Sequence, residues 1–115
     1  MSKLAVRKYW NKRNELLFGY AFSVLRRLSW KYDITKIRNA PGLILFCSLD
    51  SDKDFVINHV HTSYDIGKRY LELQSEHPDY FVKYDIAYTY EQGWNNRYHI
   101  RNMLNCLRLP PYLRT

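Results

Sequence analysis

The chain has little cysteine: only Cys47 and Cys106 occur, far apart and in no ligand-like spacing. Neither a disulfide framework nor a zinc-binding pattern is implied, and a reducing compartment fits best. Glycine is also sparse, with four residues that never cluster, which excludes a Gly-rich phosphate loop. No nucleophile elbow and no Cys–His pairing of familiar spacing occurs, so no cofactor is expected. No apolar run approaches the ~20 residues of a membrane span. The first residues mix Lys3, Arg7 and Lys8 with Trp10 and Asn11 where a secretory signal would carry an apolar stretch. The expectation is a protein without membrane contact, cytoplasmic in its own cell or in an infected host cell.

Acidic residues are unevenly distributed. The formal net charge is +7, yet residues 1–40 hold ten basic residues against Glu15 and Asp33. Residues 96–115 add Arg97, Arg101, Arg108 and Arg114 with no acid, whereas the stretch between is acidic. Basic ends around an acidic middle make the ends the expected contact for nucleic acid or for an acidic host protein. The candidate phosphate contacts are Lys3, Arg7, Lys8, Lys12, Arg13, Arg97, Arg101 and Arg108. Eleven tyrosines are the compositional excess. Tyrosine suits base stacking and interfaces, and it suits half-buried strands equally.

At 115 residues the chain has the length of one domain. Its pattern divides it into a basic helical segment over 1–40, a hairpin–helix–strand–helix core over 41–104 and a tail over 105–115. From Val6 to about Trp30 a single helix is expected, with Leu17, Ala21, Val24, Leu25 and Leu28 on one face. Asn39 to Gly42 break that pattern. Residues 43–61 then read as a β-hairpin turning at Asp50–Lys53. Ser63 is the expected cap of a helix running to about Ser75 and stopped by Pro78. A third strand spans Phe81 to Tyr90, Gly93 punctuates, and a last helix covers Asn95 to Leu107. The order α-β-β-α-β-α predicts an α+β fold, a small, mainly antiparallel three-stranded sheet covered by helices.

His59-Val60-His61 is the most pointed local feature, because alternation along a strand sends both imidazoles to one face. Such a pair can begin a metal site or act as acid and base. His77 and His99 fall on other elements and supply no evident third ligand.

From Pro41 to about Leu104 the chain resembles a diverged GIY-YIG nuclease domain. Pro41-Gly42-Leu43-Ile44 stands where that family often has Pro-Gly-Val-Tyr, and the second triplet falls on His59-Val60-His61. Thr62 to Arg69 resembles its Lys-x-x-Asn-Leu-x-x-Arg segment, which places Arg69 on the family's catalytic arginine. Ile44, His59 and His61 depart from the family residues. The last helix carries Tyr98 where the spacing sets the metal-binding glutamate, with Glu91 as the nearest acid. The resemblance implies His59, His61 and Arg69 as catalytic residues, and Mg²⁺ or Mn²⁺ only if the domain is nuclease-active. Loss of the carboxylate favours a small, basic, non-catalytic nucleic-acid-binding protein on a degenerate nuclease-like core. Two alternatives stand beside it: a viral or mobile-element protein that inhibits a host protein through its basic and aromatic surface, and a metal-dependent nuclease.

Overall fold

The most apolar run of the chain, Leu43 to Cys47, is buried at every position and forms the middle of the sheet. The computed structural model describes residues 10–29 and 33–108. Strand β1 (Gly42–Leu49) pairs antiparallel with β2 (Phe55–Ser63) and, on its other side, with β3 (Phe81–Ile86). The sheet order is β2-β1-β3, so burial of β1 on both faces explains its continuous hydrophobic run. The hairpin turn is organised by Asp50, whose carboxylate accepts the N–H groups of Asp52 and Asp54 at 2.9 Å each. Lys53 takes the left-handed conformation there, with φ 62°. A bulge interrupts the ladder, since Phe46 faces His59 whereas Cys47 faces Ile57, leaving Asn58 as the extra residue.

The amino-terminal segment departs from the single helix expected. Helix α1 (Lys12–Leu17) is capped by Asn11, whose side chain accepts the N–H of Asn14 at 2.9 Å. It ends at Phe18, which has φ −129° and ψ 36°, and α2 (Gly19–Arg27) starts anew. One continuous helix would carry apolar residues almost all round it and could bury only part of them. The break leaves Leu16 and Leu17 exposed and turns Ala21, Phe22, Val24 and Leu25 into the core. Trp10 packs against Phe22 with ring centroids 4.9 Å apart, and its indole N–H donates to Glu15, which also pairs with Arg26.

Helix α3 (Ile66–Leu73) is capped by Asp65 rather than by Ser63. The Asp65 carboxylate accepts the Lys68 N–H at 3.3 Å, while the Ser63 hydroxyl accepts the Asp65 N–H at 3.1 Å. Gly67 sets α3 against the preceding segment, for a Cβ there would run into the carbonyl oxygens of Ile37 and Ile34.

The third strand stops at Ile86, and α4 runs from Tyr90 to Arg108, five residues longer at its start than the pattern suggests. Its start is a capping arrangement: the Thr89 hydroxyl accepts the Gln92 N–H at 3.1 Å and the Gln92 side chain accepts the Tyr88 N–H at 2.8 Å. Gly93 is therefore no punctuation mark. It is a helical residue whose Cβ position would lie 3.3 Å from the Gly42 Cα and 3.1 Å from the Thr62 hydroxyl, and its lack of a side chain lets α4 approach the sheet.

Two apolar layers result. Leu43, Leu45, Cys47 and Ile57 pack with α2 and with Ile100, Met103, Leu104 and Leu107 of α4. On the opposite face Ile44, Phe46 and Tyr84 pack with Ile66 and Leu73 of α3 and with Ile34 of a 3₁₀ turn, Ile34–Lys36. The α+β architecture is the expected one. Ser29 bridges Tyr84 and so covers the outer side of β3, whereas β2 is the opposite edge of the sheet. No helix among the described residues is long and apolar enough to cross a membrane.

Candidate nucleic-acid interface

The bulge lies on the Ile57 side of His59, so regular alternation from His59 onward keeps His59 and His61 on the same face of β2, beside Phe46. A third histidine joins them. His77 ends the 3₁₀ turn Gln74–Glu76 that follows α3, and its Nε2 lies 3.3 Å from that of His61. The rings rest on Phe46: His77 at 4.4 Å between centroids, His61 edge-on at 5.7 Å. His59 stacks on His77 at 4.1 Å. Phe46 is buried and fixed by the sheet, so the cluster stands on a rigid floor.

The field around these rings is positive. Burial pushes His61 down to about 4, and repulsion from His77, His59, Arg69 and Arg97 adds to it. At neutral pH His61 is therefore an uncharged imidazole. Arg69 reaches this region from α3, where it also pairs with Glu72 at 2.8 Å. Arg97 reaches it from α4, and its Nε–H donates to the Val60 carbonyl at 3.3 Å, covering part of the β2 edge.

Between β2 and α4 runs an open groove of about 280 Å³, whose lining includes Asn58, His59, His61, Arg97, Arg101 and Asn105. A second hollow of about 260 Å³ shares Arg97, Arg101 and Asn105 with it and adds Trp94, Tyr98 and Asn102. No carboxylate lines either. Such a surface can take a chain of phosphates on its guanidinium groups and planar groups on its rings.

The sequence-derived candidates divide accordingly. His59 and His61 come together with Arg97 and Arg101 beside them, whereas Arg69 lines neither hollow and acts on His61 through its charge. Lys12 and Arg13 are exposed at the start of α1 and line neither hollow. Lys3, Arg7 and Lys8 lie outside the described residues, as does the side chain of Arg108. His77 was missed, because its nearness depends on how α3 packs. A last helix beginning at Asn95 leaves Trp94 outside it; the Thr89-x-x-Gln92 signature is the signal that places Trp94 on α4.

As a metal centre the cluster is incomplete. The 3.3 Å between the His61 and His77 nitrogens equals the ~3.3 Å that two nitrogens span on one tetrahedral ion. Yet no group of three His, Cys, Asp or Glu side chains among the described residues is placed to hold an ion. Glu91 sits exposed in the first turn of α4, and with Gly93 helical no turn brings it inward. Tyr98 is stacked on Trp94 at 5.9 Å.

No family model matches this chain, and no curated protein or solved structure matches it.

Proposed function

We propose that the protein binds nucleic acid without cleaving it, holding phosphates in the groove between β2 and α4. The observation that carries this reading is the lining: Arg97 and Arg101 beside His59 and His61, with no carboxylate. Guanidinium groups recognise phosphate oxygens in a forked geometry, and a groove free of acids does not repel a polyanion. The net charge of +7 adds long-range attraction.

The hairpin, helix, strand and helix of the core follow the order that the GIY-YIG resemblance implies, and Arg69 acts on His61. These features support descent from a nuclease-like core. The donor set does not fit that family's divalent metal, however: imidazole and guanidinium groups replace the oxygen ligands that Mg²⁺ or Mn²⁺ requires. The core thus serves as the scaffold of a binding surface.

Titrating the protein into fluorescently labelled DNA and RNA across a salt series tests the reading, with steeply salt-dependent binding expected. Absence of binding to any of these at low salt would refute it. Incubation with plasmid and Mg²⁺ or Mn²⁺ should leave the DNA intact; cleavage abolished by Arg69→Ala would overturn the non-catalytic part.

A further inference from the structure

We infer that Trp94 and Tyr98 form a base-stacking platform and that the polymer taken by this groove is single-stranded; this rests on the nucleic-acid reading above. The two residues are one helical turn apart on α4. Their rings are nearly parallel, 12° apart at 5.9 Å between centroids, and they remain 47% and 55% exposed. The inner side of the same helix is already supplied by Ile100, Met103, Leu104 and Leu107, so the core makes no use of these two aromatic faces.

Charge selects the occupant. Arg97 and Arg101 follow Trp94 at steps of three and four along the helix and line both hollows, which puts phosphate-binding groups beside the rings. Glu91, the only acid of α4, lies in its first turn. One turn before Trp94, Tyr90 stacks on Tyr64 with centroids 4.1 Å apart and rings 13° from parallel, and Tyr64 is largely exposed. Two aromatic pairs and two arginines therefore lie along one side of α4.

A duplex cannot use this arrangement. Its bases stack on one another and show only their edges in the grooves, so flat exposed rings gain nothing from it beyond the phosphate contacts. Unpaired bases have free faces, and each one stacked on a protein aromatic adds affinity with little dependence on sequence. The chemistry is shared by single-stranded DNA and RNA.

The test measures fluorescence anisotropy of labelled oligothymidine, oligouridine and a duplex of the same length at one low salt concentration. The single strands should bind more tightly than the duplex, and the tighter of the two identifies the sugar. Trp94→Ala and Tyr98→Ala should each weaken single-strand binding by about ten- to a hundred-fold and leave duplex binding nearly unchanged. Trp94→Phe should restore most of it. Circular dichroism checks that each variant is folded. Preference for the duplex, or single-strand binding untouched by a folded Trp94→Ala protein, overturns this inference while leaving the broader reading in place. Failure of all three polymers to bind overturns both.

Discussion

The Nε2 atoms of His61 and His77 stand 3.3 Å apart across sixteen residues of chain. At that distance one imidazole donates an N–H and the other accepts it, an arrangement open only while one of the two facing nitrogens is unprotonated. Burial of His61, with repulsion from His77, His59, Arg69 and Arg97, makes a positive charge on its ring costly. The proton that His61 refuses leaves the groove with an uncharged ring in the field of Arg69 and Arg97.

Stability should register that refusal. His61 titrates near 4 in the folded protein against 6.5 ordinarily, so the unfolded chain binds its proton more readily. Its contribution is fully present above about pH 6.5 and is lost as pH falls toward 4. His61→Gln should flatten the melting-temperature profile across that window while changing little above it. Parallel profiles for the two proteins would show that the ring is not desolvated and repelled as described.

Asp85 has the opposite sign. Burial raises it above the 3.8 of a free carboxyl, and its bonds to Arg27 and Asn96 lower it less than burial raises it. Its contribution is therefore present below about 3.8 and lost as pH rises through the folded value. Asp85→Asn should keep or raise the melting temperature at pH 7. Arg27→Ala, which removes a partner at 3.4 Å whose side chain is 48% exposed, should cost on the order of 1 kcal/mol at pH 7. That cost should shrink in acid. A melting temperature lowered equally by Arg27→Ala at both pH values would contradict this account.

Two glycines should answer differently to the same added methyl. At Gly67 the Cβ collides with the Ile37 carbonyl, so Gly67→Ala should lose about 1–3 kcal/mol in denaturant unfolding. At Gly19 nothing lies within 4 Å, and Gly19→Ala at the start of α2 should be neutral or gain up to about 1 kcal/mol.

If Arg97 and Arg101 each contact a phosphate, Arg97→Gln and Arg101→Gln should each reduce the slope of log affinity against log salt by about 1. A slope unchanged in both variants would remove the groove from the interface. An equal change in Lys12→Gln would extend the contact to α1.

Much of this protein is legible in its sequence. Turn residues and apolar runs marked the hairpin and α3 to within a few positions, because those signals act over a handful of residues. Alternation alone put His59 and His61 together. The breaks were less legible. Phe18 interrupts the first helix, and the break turns Phe22 into the core while leaving Leu17 exposed, a choice settled only by the sheet beneath. Gly93 looked like an end and proved to be a contact, since its lack of a side chain mattered to Gly42, fifty-one positions away in the chain.

By itself, then, the sequence determined the hairpin, the helix after it, the one-faced histidine pair and the basic ends, all properties of neighbouring residues. Only the tertiary structure decided that His77 from the α3 side and Arg97 from α4 meet that pair at the edge of β2, within the field of Arg69. The reason is that Phe46 must be covered on one face of the sheet and Ile57 on the other. The helices that cover them carry the remaining groups into place.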